Sequence, residues 1–218
     1  ILGGKELDPA NPAHQSIIAK LAAMEALAAM DKDGNAKQWY DATITNMMNL
    51  AARIFPSINE SKQARISFSL ITAITSQNLN VEDNMILAVK IYREWEKSRR
   101  FPENMGSGKS SGVMKSNFVK ANELIDSMGW EKFIGLMEAK HSNAFLKKVF
   151  GFGSSGDTMD HIMSGSSVFG PKIGGGFFQN LVGNFDPVTM DMWFSRTIGR
   201  MTGRVRAFDS KLVEAQLS

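Results

Sequence analysis

An all-α fold is predicted by three observations. Apolar residues recur at spacings of three and four over most of the chain, strand-like alternation is nearly absent, and the periodic runs end at Gly-, Pro-, Asn- or Asp-rich stops. Residues 14–30 place Ile17, Ile18, Leu21, Met24 and Leu27 on one helical face, and Asp31-Lys32-Asp33-Gly34-Asn35 stops the run. Residues 38–54 form a second run, closed by Pro56. Residues 61–76 and 81–95 follow, separated by the polar Gln77-Asn78-Leu79-Asn80. A loop rich in Gly, Ser and Lys spans 99–112, before helices at 113–127, 130–139 and 144–150. After the Gly-rich break at 151–156 the pattern predicts a short helix over 158–164, further helices over 172–182 and 190–201, and a weaker one near 210–216. No internal repeat or low-complexity tail interrupts the series.

Composition narrows the classes. The chain has 218 residues, 43% apolar and 22% charged, enough for one sizeable core or two small subdomains. It lacks Cys, which excludes disulfide staples, thiolate zinc sites and Cys-ligated iron–sulfur clusters. No apolar run of about 18 residues occurs, so no membrane-spanning helix is expected. The opening Ile1-Leu2-Gly3-Gly4 has neither Met nor the basic flank and apolar region of a secretory signal. It reads as a piece of a longer chain or a processed product, from an intracellular protein of the cytoplasm or nucleoid, cellular or phage-encoded. The net charge of +3 is unevenly spread: residues 90–120 hold eight Lys and Arg against three Glu, and residues 161–218 hold six against four acidic side chains. Two basic stretches on a nearly neutral chain fit either solvated helix faces or a surface that meets a polyanion.

Three motifs are incomplete. Gly106-Ser107-Gly108-Lys109-Ser110 resembles a phosphate loop, but Glu103 stands where the first Gly belongs, and a helix precedes it instead of a strand. Asp31-Lys32-Asp33-Gly34-Asn35 resembles the start of a calcium loop, but Ala36 and Ala42 replace the required Gly and Glu. His14, His141 and His161 lie in separate segments without ligand spacing. No metal and no cofactor is expected.

Chemistry concentrates between 166 and 193. Gly170-Pro171 leads straight into a helix that begins at Lys172, and Asp191 opens the next helix nineteen positions later. An amine at the positive end of a helix dipole, and partly buried, gives up its proton more readily. A free amine is a nucleophile suited to forming a Schiff base, and a nearby carboxylate can activate it or steady positive charge on a sugar. By itself the pair also fits an ordinary helix-start Lys and an N-capping Asp.

Three segments, in this order, resemble the helix-hairpin-helix DNA glycosylase superfamily, the group of endonuclease III and the 8-oxoguanine glycosylases. Thr72-Ala-Ile-Thr-Ser76-Gln77-Asn78-Leu-Asn-Val81-Glu-Asp-Asn84 is similar to the family's early helix–loop–helix. Phe118-Val-Lys120-Ala121-Asn-Glu-Leu124 is similar to its "aromatic, Lys-Ala, two residues, aliphatic" helix. Gly170-Pro171-Lys172 and Val188-Thr-Met-Asp191 fall where the family carries its catalytic Lys and Asp, and Phe177 and Asn180 are shared with the archaeal 8-oxoguanine branch. The likeness spans about residues 67 to 200. Two departures stand out: Val168 replaces the first Gly of the hairpin, and Trp193 replaces the His two after the Asp.

The resemblance implies an all-α, helix-hairpin-helix glycosylase-like fold of two small helical subdomains with a cleft, and a hairpin over about 158–183. Residues 1–60 have no counterpart in that family; their apolar periodicity predicts an N-terminal helical segment packing on this 61–218 domain. The resemblance implies a DNA glycosylase with abasic-site lyase activity, acting as a monomer on double-stranded DNA with a flipped-out base. Lys172 attacks C1′ of the sugar and Asp191 assists the departing base. Gly170, Pro171 and neighbouring backbone amides form the hairpin that grips a phosphate, and Gln77, with Asn78 beside it, fills the gap in the base stack. The run Gly174-Gly175-Gly176 costs about 1 kcal/mol per Gly within a helix, so something approaches it closely, either a neighbouring helix or, at Gly174, the DNA. Phe177, Phe178 and Trp193 read as core. Two other readings stay open: a transferase modifying DNA bases on the same scaffold, of the phage hypermodification type, and a non-catalytic module in which Lys172 contacts a phosphate.

Overall fold

The computed structural model describes residues 6–32, 39–77, 79–104, 111–151, 158–189 and 192–203. The helix expected at 210–216, the glycine-rich break after Gly151 and the centre of the basic loop lie outside the described residues. The protein is mostly helical. Its chain gathers into two compact units, Ile1–Tyr40 with Met190–Ser218, and Asp41–Thr189. The segment 41–60, grouped by the sequence with the N-terminal helices, therefore packs within the larger unit.

In the smaller unit α1 (Pro12–Lys32) lies against α9 (Met192–Thr202). Leu7 N–H donates to the Thr202 carbonyl at 2.8 Å, and Arg200 pairs with Glu25. The apolar stripe of α1 covers little: Ile17, Met24 and Leu27 are all exposed.

The larger unit is built around α4 (Lys62–Thr75). Ser61 caps its start by accepting from the Ala64 N–H. From Ile66 to Thr75 every side chain is buried, so the helix is enclosed on all sides rather than amphipathic. Thr72 returns its hydroxyl to the carbonyl of Phe68 at 2.9 Å, whereas the hydroxyls of Ser67 and Ser69 have no hydrogen-bond partner. Asn84, buried at the start of α5 (Val81–Ser98), accepts from the Thr75 hydroxyl at 2.6 Å and donates to the Thr72 carbonyl at 3.2 Å. Asn80 caps α5 through the Asp83 N–H. These bonds set the helix–loop–helix formed by α4 and α5.

The layer over α4 is aromatic. Rings of Phe55, Phe68, Tyr92, Trp95, Phe101, Phe118, Trp130 and Phe133 make successive edge and stacked contacts at centroid separations of 4.9–6.5 Å. α2 (Trp39–Ile54) and the short α3 (Ser57–Glu60) add Ile44, Met48, Ala51 and Ile58 to this core. Ser57 gives its single proton to Glu96 at 2.5 Å, so the Tyr92 hydroxyl donates to Ser57 at 3.0 Å; burial holds the Tyr92 pKa above its ordinary value. α5 stops where Arg99 turns left-handed, φ 57°, with its guanidinium over the Trp95 ring. Phe101 then enters the core, its backbone N–H and C=O both taken by the amide of buried Asn122 at 3.0 and 2.8 Å.

α6 (Ser111–Glu138) is broken at Gly129, φ 78°, which accounts for the two helices expected at 113–127 and 130–139. The chain leaves it as β1 (Lys140–Ser142), continues through α7 (Asn143–Phe150), and returns as β2 (Ile162–Ser164). The strands pair antiparallel, His141 opposite Met163. This corrects the short helix expected over 158–164. Those residues form a turn and a strand, because the chain here finds backbone partners far upstream: the His161 carbonyl accepts from the Asn143 N–H, and the next residue after the strand, Gly165, donates its N–H to the Ala139 carbonyl. Three paired residues are too few to leave an alternation in sequence.

Asn122→Leu leaves both backbone groups of Phe101 buried without partners and is expected to cost about 2–4 kcal/mol, read as a lower urea midpoint. Ser69→Ala removes a buried hydroxyl that has no partner and is expected to be neutral or stabilising by up to about 1 kcal/mol in the same assay.

Candidate active site around Lys172

Residues 162–189 build the candidate site from the backbone outward. β2 runs into a buried 3-10 turn, Gly165–Phe169. Gly170 follows with φ 102° and ψ 155°, a conformation essentially closed to other residues. The chain then winds as a π-helix, Pro171–Phe177, and tightens into α8 (Phe178–Leu181). Pro171 fixes the entry angle at a position where no N–H is needed. The Gly170 carbonyl accepts from both Gly174 N–H at 2.9 Å and Gly175 N–H at 3.1 Å, which widens the first turn. Such π-turns recur at functional sites.

Close contact between the two arms explains the glycines. A Cβ on Gly174 would overlap the Ser166 carbonyl, and one on Gly176 would lie 2.9 Å from Thr189 Cα. What approaches Gly174 is thus the chain's own 3-10 turn, and Gly174 itself is buried. The Ser166 hydroxyl donates to the Gly174 carbonyl at 2.6 Å and accepts from Gln179 at 2.8 Å. The other end of the Gln179 amide accepts from Asn184 at 3.1 Å. Asn180 donates to the carbonyls of Asn184 and Pro187 at 3.0 and 3.1 Å and accepts from the Thr189 hydroxyl at 2.9 Å. Two buried amides therefore fasten the loop 184–189 to the helix that carries Lys172.

A second clamp comes from α6. Lys120, half-buried, donates from Nζ to the Val168 carbonyl at 2.6 Å. Burial pulls its pKa below the ordinary lysine value, and the charge of Glu123 opposes that shift. Val168, which stands where the resembling family has Gly, buries its side chain in the core and supplies this carbonyl.

Lys172 occupies the second position of the π-helix and is partly exposed. No described carboxylate lies within 4 Å of its ammonium. Gly170, Pro171, Lys172 and Gly174 share one turn. Gln77 lies just past the end of α4, the helix that packs against this π-helix; its amide nitrogen is turned inward, buried and without a partner. Phe178 is fully buried and Phe177 partly so. Asp191 and Asn78 lie outside the described residues, as does the side chain of Trp193. Among the described residues no group of three or more His, Asp or Glu could hold a metal, and no helix is long and apolar enough to cross a membrane.

Sequence reasoning did not assign Ser166, Gln179, Asn184 or Lys120 to the site. Its available signal was the polar pair Gln179-Asn180 inside the apolar run Phe177-Phe178-…-Leu181-Val182: two amides within such a run must find partners.

Gly174→Ala forces the Ser166 carbonyl to move and is expected to destabilise by more than about 2 kcal/mol. Gly112→Ala, exposed on α6 with nothing near its Cβ position, is expected to stabilise by up to about 1 kcal/mol; thermal midpoints of both variants check the contrast. Lys120 has a pH signature. The unfolded chain keeps its proton to about 10.5, the folded chain loses it earlier, and between those values stability rises with pH. Lys120→Met is expected to remove that rise, measured as the difference in urea midpoint between the two chains from neutral pH upward.

No family model matches this chain, and no curated protein or solved structure matches it.

Proposed function

We propose that the protein is a DNA glycosylase with abasic-site lyase activity, on a helix-hairpin-helix glycosylase-like scaffold of two helical subdomains with a cleft. The observation that carries the reading is the turn 165–172: a 3-10 turn, a glycine at φ 102°, and a proline that launches a helix with a partly exposed Lys in its first turn. The residue pattern Gly-Pro-Lys, the upstream Lys-Ala helix and the Gln77 loop support it together, since each belongs to the same resemblance.

In this reading Lys172 is the nucleophile. Nζ attacks C1′ as the C1′–N bond breaks; the base leaves with the electron pair and takes up a proton. Asp191, nineteen positions further along the sequence, is assigned the proton that Nζ loses. The sugar ring opens to a Schiff base at C1′. Loss of a C2′ proton then expels the 3′ phosphate by β-elimination, and water releases the lysine. The hairpin of Gly170, Pro171 and neighbouring backbone amides holds a phosphate, and Gln77, with Asn78, fills the gap left by the flipped base once the Gln77 amide turns out from its buried position.

The test is borohydride trapping. Wild-type protein mixed with duplex DNA bearing an abasic site, then reduced, is expected to give a covalent adduct, absent in Lys172→Gln while that variant still binds the duplex. No wild-type adduct with binding intact overturns the lyase reading. Activity dependent on a small-molecule donor would then identify a base-modifying transferase. A weakened affinity with a shallower salt dependence in Lys172→Gln would identify a binding module.

A further inference from the structure

A second surface lies away from the Lys172 turn, between α2 and α5. Leu50, Ala51 and Ile54 from α2 face Met85, Ile86 and Val89 from α5 across a groove of about 300 Å3. Leu50 is 57% exposed, Ile54 49% and Ile86 55%, so three large aliphatic side chains stand in solvent along one seam. Isolated exposed aliphatics are ordinary; a contiguous apolar floor with a polar rim marks a contact surface. The volume is at the lower limit for enclosing a small molecule, and the open seam between two helices instead suits the apolar stripe of a third.

The charges decide what kind of helix. The ionic side chains lining the groove are Lys90 and Arg93, and neither has a carboxylate within 4 Å among the described residues. The acidic groups of α5 are committed elsewhere: Asp83 accepts from Asn80, Glu94 pairs with Lys97, and Glu96 accepts from Ser57. Glu82 lies one turn ahead of Met85 and Ile86, outside the lining. Lys90 and Arg93 open the basic stretch 90–120, whose far end, Lys120, is the one that clamps the candidate site. A DNA backbone would satisfy the two cations but would press phosphates on an aliphatic floor.

We infer that the α2–α5 groove docks an amphipathic helix of a partner protein, with aliphatic residues at i, i+3, i+4 and i+7 and acidic residues flanking that stripe. The aliphatic stripe covers Leu50, Ile54 and Ile86, and the flanking carboxylates meet Lys90 and Arg93.

The test uses the full chain and three fluorescent helix-forming peptides of roughly 16 residues: the aliphatic stripe with Glu flanks, the same stripe with Lys flanks, and Glu flanks without the stripe. Fluorescence anisotropy is expected to show binding of the first alone, weakened tenfold or more by Ile86→Glu and by the double variant Lys90→Glu/Arg93→Glu. That double variant is expected to gain binding of the Lys-flanked peptide, an exchange of preference that misfolding could not produce. Unchanged melting of both variants confirms an intact fold. Equal binding of Glu- and Lys-flanked peptides, or none by the Glu-flanked peptide, overturns the proposal. A concentration-dependent dimer abolished by Ile86→Glu would instead assign the groove to a second copy of the chain. Binding to phosphatidylglycerol vesicles, lost in the double variant, would assign it to an anionic lipid surface.

Discussion

A helix with no exposed face can hold its place only if other elements surround it, and α4 is such a helix. From Ile66 to Thr75 it offers no side to water, so α3, α5, α6, α8 and the π-helix are each obliged to cover part of it. Burying a large aliphatic or aromatic side chain contributes about 1.5–3 kcal/mol, and a run of ten enclosed residues concentrates that gain in one element. The consequence reaches the candidate site directly. The end of α4 fixes Gln77, its flank supports the turn that presents Lys172, and the asparagine that locks α5 onto it sets the loop between them.

Polar groups inside this core act as fasteners because leaving one unpaired costs more than pairing it returns. Gln179 joins the side chains of Ser166 and Asn184. Asn84, Asn122 and Asn180 each bind backbone groups at places where regular structure stops: the end of α4, the entry of Phe101, and the loop 184–189. Lys120 does the same for the 3-10 turn. The turn that carries Lys172 is thus held on one side by α6 and on the other by its own amide pair. A side chain carried on a turn held in this way has its backbone anchor fixed from both sides. The unpaired hydroxyls of Ser67 and Ser69 show the reverse case, small groups whose desolvation nothing offsets.

The same economy separates the two surfaces. Around Lys172 the backbone is crowded by glycine and pinned by amides, which suits a site where geometry matters. Between α2 and α5 the side chains are aliphatic, exposed and bordered by cations that no described carboxylate neutralises, which suits a surface where shape and charge matter.

The sequence by itself determined the mostly helical class and where the long described helices run, because a period near 3.6 and its Gly, Pro and Asn stops are local properties of the chain. It also marked Gly170-Pro171-Lys172 as a turn launching a helix, since those residue types have few other uses in that order. Only the tertiary structure decided that 162–164 is a strand, that α4 is enclosed while α1 leaves its stripe exposed, and that Gly174 is small for the sake of the Ser166 carbonyl. It alone joined Lys120 to Val168, 48 positions away. Each of these depends on a partner distant in the chain, and a local pattern carries no information about which distant backbone group will arrive to be satisfied.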